Sequence, residues 1–198
     1  MPRRVPSRLT VLAASLLLWA GAAQAREPDG TLVVTILGDS LTAGYGLNAR
    51  DAIPARLEEA LKAQGLKVKV RPALVSPDTD LCLVVLGGND LLQGVEPSLM
   101  KANLDGIVTK LKARHIRPML VGIKAPPAMG ADYAREFDAV VPDLARADDA
   151  PAFPDLLGKV ALDRSLNQGD GIHPNPQGVR QVVARLAPAV EAALKSNR

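Results

Sequence analysis

Cysteine, histidine and aromatic residues are scarce in this chain of 198 residues, and each scarcity argues against certain kinds of bond or binding site. The single cysteine, Cys82, excludes an intrachain disulfide and any zinc site made of several cysteines. It lies in an apolar run, which indicates a buried thiol. Aromatic residues make up only 3% of the chain, so we do not expect a ligand tunnel lined by aromatic rings. With two histidines, and no cluster of His, Asp and Glu at metal-site spacing, the sequence predicts no metal and no other cofactor.

The first 25 residues differ from the rest of the chain. Three arginines among the first eight residues precede an apolar run over residues 11–20, and an Ala-Gln-Ala sequence ends at Ala25. This order of features is typical of a secretory signal peptide. The apolar run is short for a membrane span, although an uncleaved anchor is the alternative. We therefore predict cleavage of residues 1–25, a mature domain over residues 26–198, no lasting membrane anchor, and a periplasmic or secreted protein.

The mature chain also lacks an excess of charge of one sign. The net charge of +3 comes from 24 Lys and Arg against 21 Asp and Glu, and the predicted signal peptide holds three of those arginines and no acidic residue. A nearly neutral domain gives no electrostatic reason to bind nucleic acid. The remaining 173 residues suit one domain with a sizeable core, and we expect a monomer or a weak oligomer.

Apolar runs alternate with segments of helical periodicity after residue 30. Short, continuous apolar runs are typical of buried parallel strands, and apolar residues three or four positions apart are typical of amphipathic helices. Strands are predicted over residues 31–37, 81–86 and 118–123, with a weaker strand signal over 67–70. Helices are predicted over residues 54–64, 97–114, 131–147 and 176–196, and the second of these is expected to face the core with Leu99, Leu104, Ile107, Val108 and Leu111. The alternation predicts an α/β fold, a three-layer α/β/α sandwich around a mainly parallel sheet.

Polar residues follow two of the predicted strands at the same distance. Ser40 comes three residues after the first strand, and Asn89 comes three residues after residue 86. Because ligands bind beyond the carboxyl ends of parallel strands, we expect both side chains at one edge of the sheet. Each has a structural alternative. A serine at such a place can cap the next helix, and an asparagine after two glycines can occupy a left-handed turn.

An aspartate and a histidine three residues apart lie near the C-terminus. Asp170 and His173 belong to a segment rich in Gly, Pro and Asn, which is typical of an exposed loop and unlike the surroundings of most structural histidines. With Ser40 they provide the three side chains of a serine hydrolase. These are a hydroxyl nucleophile, a base that is neutral near physiological pH, and a carboxylate that holds the base in one tautomer.

Three sequence blocks carry a resemblance to a known family. Residues 36–46 (ILGDSLTAGYG), 86–90 (LGGND) and 170–175 (DGIHPN) are similar to blocks of the GDSL, or SGNH, hydrolases and occur in the same order. The chain most resembles the group of periplasmic arylesterases, lysophospholipases and acyl-CoA thioesterase I. The resemblance implies a flavodoxin-like fold and a serine ester hydrolase that acts on small acyl esters or thioesters.

The same resemblance implies roles for the site residues. The family's nucleophile, base and orienting acid correspond to Ser40, His173 and Asp170. The Ser40 backbone N–H and the Asn89 side-chain amide are implied to stabilise the negative charge that develops on the substrate carbonyl oxygen. Asp39, next to the nucleophile, is expected to brace the loop.

One family block is not intact in this chain. The family has a glycine in its second block whose N–H also stabilises the oxyanion. In one alignment Pro77 replaces this glycine, and proline has no N–H to donate. In the other, residues 77–80 lead into the next strand and the block is deleted. Neither alignment supplies the donor, and loss of one such donor typically lowers turnover roughly 10²–10³-fold.

The spacing at the same place indicates a second defect. If residues 67–75 and 81–86 are both strands, only residues 76–80 join them, whereas a parallel crossover usually takes a dozen or more residues and a helix. We therefore expect that one crossover helix is missing, and that the early strand is lost or frayed or the local topology is changed. We expect reduced activity as a result.

Two other functions remain open from the sequence. One is a catalytically weak or inactive relative that binds acyl ligands, in a pocket whose wall is predicted over residues 125–129 and 150–157. The aliphatic side chains there suit short to medium acyl groups. The other is a nucleotide-binding α/β protein, since Gly44, Gly46 and Ala49 fit a G-x-G-x-x-A pattern. That pattern is weak evidence here, because its first glycine does not follow the strand directly.

Overall fold

Five parallel strands run through the centre of the fold, in the order β2–β1–β3–β4–β5. Their bounds are Leu32–Gly38 for β1, Val68–Pro72 for β2, Leu81–Val85 for β3, Arg117–Val121 for β4 and Ala152–Phe153 for β5. The structure is a computed structural model that describes residues 27, 29–72 and 75–196. The predicted signal peptide lies outside the described residues. The parallel sheet confirms the fold class expected from the sequence.

Helices cover both faces of the sheet. They are Ser40–Ala43 (α1), Ile53–Ala63 (α2), Gly88–Gln93 (α3), Pro97–Ala113 (α4), Ala131–Asp148 (α5) and Pro176–Lys195 (α6). The apolar sides of α2 and α6 share one buried cluster with the sheet, and those of α4 and α5 share a second cluster on its other side. The result is a sandwich of three layers. None of the described helices is long and apolar enough to cross a membrane.

Burial along the strands follows the layers that cover them. All five residues of β3 are buried, as expected for a central parallel strand. In β2, Val68 and Val70 are buried in the cluster that includes α2, but Lys69 is exposed and Arg71 is partly exposed. The alternation of Val with Lys and Arg therefore marks a strand with one open face.

The connection from β2 to β3 contains no helix among its described residues, 75–80. The expected absence of one crossover helix is confirmed. Of the two alternatives that the sequence left open, a lost or frayed early strand is excluded, because β2 pairs in parallel with β1 from Val68 to Pro72. The change lies in the connection, which has no helix among residues 75–80. Since only β1 separates β2 from β3, the chain has to move about 10 Å sideways. The eight residues between the two strands can reach roughly 26 Å.

Thr79 and Asp80, the last two residues of the crossover, pack directly on β1. The hydroxyl groups of Thr79 and Thr35 are 2.9 Å apart, and both side chains are buried. The Asp80 carboxylate accepts a hydrogen bond from the Val33 N–H at 2.8 Å, and the Asp80 N–H donates to the Val33 carbonyl at 2.9 Å. The crossover is therefore held against the first half of β1, away from the carboxyl end of that strand.

The buried face of α4 differs from the prediction at its first turn. Leu104 and Val108 are buried as expected, whereas Leu99 is 55% exposed. Met100 takes the inward position instead, because it lies four residues before Leu104 and so on the same side of the helix. Its terminal methyl group packs over Gly87, where a Cβ atom would come within 2.5 Å of it.

Candidate active site

Ser40 is the first residue of α1, directly beyond the end of β1. The Asp39 carboxylate caps this one-turn helix, since its Oδ1 accepts a hydrogen bond from the Leu41 N–H at 3.1 Å. The chain turns closely here, because a Cβ atom at Gly38 would lie 2.3 Å from the Thr42 hydroxyl oxygen. Ser40 therefore lies at the carboxyl edge of the sheet, where the sequence predicted it. The helix itself was not predicted, because a single capped turn has no apolar periodicity.

Asp170 and His173 form a local pair in the loop before α6. Oδ1 of Asp170 accepts hydrogen bonds from the backbone N–H groups of His173 at 3.0 Å and Ile172 at 2.9 Å, and Oδ2 lies 2.6 Å from His173 Nδ1. The His173 N–H, the Ile172 N–H and the His173 ring all favour the ionised carboxylate and hold the pKa of Asp170 at about 2. Gly171 between them has a φ of 70°, which glycine adopts without strain.

The structure brings His173 to Ser40, although 133 residues separate them in the sequence. His173 Nε2 lies 2.8 Å from the Ser40 hydroxyl oxygen. Because the ionised Asp170 can only accept hydrogen bonds, Nδ1 of the ring carries a proton, and the neutral ring presents Nε2 as the acceptor for the hydroxyl. This arrangement can take a proton from the Ser40 hydroxyl when that oxygen attacks an electrophile.

The loop that carries His173 is fastened to the loop that follows α1. The side-chain amide of Gln168 donates hydrogen bonds to the Tyr45 carbonyl at 2.7 Å and to the Pro174 carbonyl at 3.1 Å. Gly46 makes room for it, since a Cβ atom there would lie 2.2 Å from the Gln168 side-chain oxygen. The Tyr45 ring also lies against the His173 ring, with 4.8 Å between centroids. Sequence reasoning missed Gln168 and Tyr45, because neither carries a chemical signal of its own.

Asn89 reaches the same edge of the sheet from the end of β3. It lies in the first turn of α3, and its side-chain nitrogen donates a hydrogen bond to Oδ2 of Asp39 at 3.1 Å. Gly87, just before α3, has a φ of 114°, a conformation that favours glycine. The structure therefore brings all four predicted site residues to one place, as the positions after the strands implied.

A cavity of about 390 Å³ opens beside Ser40 and His173. It lies within the size range of small-molecule sites, and most of its wall is aliphatic. The predicted wall segments contribute only in part, through Ala125, Pro126, Asp155 and Leu157. Three partly or largely exposed apolar side chains also line it: Leu92, Leu162 and Ile172. A ligand with an apolar chain fits this lining better than a charged one.

The described residues of the crossover between β2 and β3, 75–80, do not line this cavity. Pro77 is not among the residues that line it, and the contacts of Thr79 and Asp80 are with the first half of β1. Val75 likewise turns away, since its carbonyl accepts a hydrogen bond from Arg114 at the end of α4. The structure therefore favours the alignment in which residues 77–80 lead into β3 and the family's second block is deleted.

Two other features noted in the sequence lie outside the site. Cys82 is buried, as expected, and burial raises the pKa of its thiol to about 11. Gly44 and Gly46 come after α1 and do not follow β1 directly. The strand–glycine–helix order that a dinucleotide site requires is therefore absent at this place.

The chain matches known proteins over most of its length. Residues 36–181 match the model of the GDSL-like lipase/acylhydrolase family. Thioesterase 1/protease 1/lysophospholipase L1 of Escherichia coli (strain K12) is 36% identical over 157 residues, which cover 71% of this chain and 74% of the relative. Esterase TesA of Pseudomonas aeruginosa is 30% identical over 200 residues, which cover 92% of this chain and 96% of the relative.

A solved structure agrees with these matches. The crystal structure of AlinE4, an SGNH-hydrolase family esterase, matches with a TM-score of 0.67 and 38% identity, over 83% of this chain and 97% of AlinE4. The fold is thus that of the SGNH hydrolases. The chain belongs to the GDSL-like lipase/acylhydrolase family, so it is an enzyme of the carboxylic ester hydrolase class. The resemblance seen in the three sequence blocks is confirmed.

Proposed function

We propose that this protein hydrolyses acyl esters or thioesters with Ser40 as nucleophile, His173 as general base and Asp170 as the residue that orients the base. The observation that carries the proposal is the hydrogen-bonded series from the Ser40 hydroxyl to His173 Nε2, 2.8 Å, and from His173 Nδ1 to Asp170, 2.6 Å. A structural histidine has no need of a serine hydroxyl on one ring nitrogen and an ionised carboxylate on the other.

The reaction proceeds in two halves. The Ser40 oxygen attacks the carbonyl carbon while its proton passes to His173 Nε2, and the negative charge that forms on the carbonyl oxygen is met by the Ser40 N–H and the Asn89 amide. His173 then returns the proton to the departing alcohol or thiol, which leaves an acyl group on Ser40. Water repeats the sequence on the acyl-enzyme and releases the acid.

The cavity supports short to medium acyl groups as substrates. Its wall beside Ser40 is mainly aliphatic, and its volume of about 390 Å³ is modest. The names of the relatives, an esterase and a thioesterase that is also a lysophospholipase, fit both oxygen esters and thioesters. We also propose that residues 1–25 direct the chain to the periplasm or to the exterior and are removed there.

A second function, an acyl-binding protein with weak or no turnover, is favoured by one observation. No described residue at the end of β2 lines the cavity, so the described part of the site offers two candidate oxyanion donors, where the resemblance to the family implies three. Loss of one donor lowers turnover roughly 10²–10³-fold without preventing binding. The two proposed functions therefore share the same acyl ligands and differ only in the rate of turnover.

The experiment that separates them uses residues 26–198 and a fluorophosphonate probe, which labels an activated serine covalently. We expect stoichiometric labelling and hydrolysis of p-nitrophenyl acetate, and we expect Ser40→Ala to lose both. Ser98→Ala, at an exposed position on α4, is the matched control and should behave as the parent. Binding of a fatty acid without labelling would support the second function. Hydrolysis retained by folded Ser40→Ala would exclude Ser40 as the nucleophile.

A further inference from the structure

The carboxylate of Asp39 occupies an unexpected place for a negative charge. Asp39 lines the cavity together with Ser40 and Asn89, and under the proposed function this is where negative charge develops on the substrate. By Coulomb's law a carboxylate nearby opposes that charge, most strongly where water is excluded. Electrostatics alone therefore predicts that removal of the Asp39 charge would raise the rate.

Both oxygens of this carboxylate are in use. Oδ1 accepts the Leu41 N–H at 3.1 Å and caps α1, whose first residue is Ser40. Oδ2 accepts from the side-chain nitrogen of Asn89 at 3.1 Å, across 50 residues of sequence. One side chain is thus bonded to both elements that carry the two oxyanion donors.

The second of these bonds determines which way the Asn89 amide faces. A carboxylate only accepts hydrogen bonds, so the amide atom beside Asp39 has to be the nitrogen. That nitrogen has two hydrogens, and Asp39 takes one of them, which leaves the other for the substrate. In the flipped amide the carbonyl oxygen would stand in its place and would repel the oxyanion. The side chain is exposed, and within the described part of the chain Asp39 is its only hydrogen-bond partner.

We propose that Asp39 is a positioning residue of the oxyanion site, which fixes the Asn89 amide with one oxygen while the other caps the helix that presents the Ser40 N–H. The proposal rests on the proposed function, since it gives Asn89 its role as a donor. It also explains why a carboxylate is placed beside a site of developing negative charge. Both proposed oxyanion donors therefore depend on this one side chain.

Two substitutions at residue 39 separate this role from bracing of the loop. Asp39→Ser and Asp39→Asn both keep an oxygen that can cap α1. Asp39→Ser is too short to reach Asn89, which leaves the amide free to face either way. If the oxygen of the Asp39→Asn side chain accepts the Leu41 N–H, its amide nitrogen faces Asn89, whose amide can accept that nitrogen only by flipping. If the new amide is reversed instead, Asn89 keeps its orientation but α1 loses its cap. The isosteric variant is therefore expected to be the more harmful one for turnover.

The measurement is kcat and KM for p-nitrophenyl acetate, with thermal melts for each variant. We expect kcat to fall about 10²-fold in Asp39→Asn and about 10-fold in Asp39→Ser, with KM within twofold of the parent. Asp90→Asn removes a neighbouring carboxylate that does not line the cavity and is the control, with no change expected. A rise in kcat for both variants, as charge removal alone predicts, would overturn the proposal. So would a larger loss in Asp39→Ser than in Asp39→Asn, which is the order that loop bracing predicts.

A double-mutant cycle shows whether Asp39 acts through Asn89. In an Asn89→Ala background the difference between Asp39→Asn and Asp39→Ser should disappear, because the amide that they orient is gone. If the two substitutions keep their separate effects there, Asp39 acts by another route and the proposal fails. If Asn89→Ala alone leaves kcat unchanged, the oxyanion role of Asn89 in the proposed function has failed, and the inference about Asp39 fails with it. If only the Asp39 variants are silent, the proposed function stands and the inference alone is wrong.

Discussion

The carboxyl ends of β1 and β3 differ sharply from that of β2, their neighbour in the sheet. β1 and β3 each continue through glycine into a short helix that places a polar side chain, Ser40 or Asn89, at the cavity. After β2, none of the described crossover residues, 75–80, lines the cavity, and Thr79 and Asp80 contact β1 at Thr35 and Val33.

The sheet and the site therefore depend on different features of the chain. Pairing of β2 with β1 needs only backbone hydrogen bonds and two buried valines, which survive without a crossover helix. A site at the carboxyl edge needs a polar group at a set position beyond the strand, and the described residues after β2 place none at the cavity. The change at β2 therefore leaves the fold intact, and its expected cost falls on activity alone.

Asp170→Asn should have the largest effect, because it removes the carboxylate that keeps the proton on Nδ1 of His173. We expect kcat/KM for p-nitrophenyl acetate to fall about 10³–10⁴-fold, with circular dichroism unchanged. Asp163→Asn, in the same loop but outside the cavity, is the control and should retain activity. Less than a tenfold loss in Asp170→Asn would show that the base does not depend on this partner.

The same carboxylate has consequences for pH dependence. Folding lowers the pKa of Asp170 from 3.8 to about 2, so its ionised form stabilises the fold above about pH 4, and this contribution is lost as the pH falls toward 2. Asp170 stays ionised in the range where histidine titrates, about pH 5 to 8. The acid limb of kcat/KM in the parent should therefore show a single ionisation, which a pH profile measures. A flat profile from pH 5 to 9 would argue against a histidine base.

Asn89→Ala should have the next largest effect, since it removes one of the two proposed donors at an edge where the described residues offer no third. We expect kcat to fall roughly 10²–10³-fold with KM little changed. Leu92→Ala, at an exposed position one turn further along α3 that also lines the cavity, should mainly raise KM for longer acyl chains. Equal effects of the two substitutions on kcat would contradict the assignment of Asn89 as a donor.

An insertion at the end of β2 should work in the opposite direction. A helix-length segment that begins with Ser-Gly-Asp, placed between Val75 and Leu81, is expected to raise kcat up to about 10²-fold if it restores a third donor. A Gly/Ser insertion of the same length is the control and should give no gain. If the parent already hydrolyses aryl esters at about 10 s⁻¹, an ordinary rate for enzymes, the missing block is dispensable here.

Pro77→Gly should have the smallest effect on activity. Residue 77 is not among those that line the cavity, so a restored N–H there is too far from the substrate to act as a donor. We expect kcat within twofold of the parent and a loss of stability of about 0.5–1 kcal/mol, because glycine increases the freedom of the unfolded chain. Thermal melts and a standard assay measure both. A tenfold rise in kcat would contradict this expectation and would support the alignment in which Pro77 replaces the family's glycine.

The sequence predicted the main strands and helices because their patterns are local. The apolar runs gave β1, β3 and β4, and the last helix has the inward face expected from its periodicity. The short helices α1 and α3 were missed, because they are defined by capping residues and glycines and have no apolar periodicity. The alternation of valine with Lys69 and Arg71 was a usable sign that β2 lacks cover on one face. The short connection made the early strand look lost or frayed, because the usual length of a parallel crossover includes a helix. This connection has no helix among its described residues, so it can be shorter.

The site residues that follow strands or lie together in one loop were predictable from the sequence. The contacts between loops that are distant in the sequence were not. The positions of Ser40 and Asn89 after strands were enough to place them at one edge. The bond between Asp39 and Asn89, and that between Gln168 and the Tyr45 carbonyl, depend on three-dimensional proximity across 50 and 123 residues. No local pattern records such contacts, so only the folded chain reveals them.

The hydrogen bond between Gln168 and the Tyr45 carbonyl has a consequence for how the protein is made. It fastens a loop near the end of the chain to one near its beginning, just before α6, which packs in one cluster with α2. Under the proposed function, a growing chain therefore carries Ser40 for most of its synthesis without His173 to activate it. Hydrolysis would then begin only when these two loops meet. Recovery of turnover during refolding should for this reason lag behind recovery of helix content.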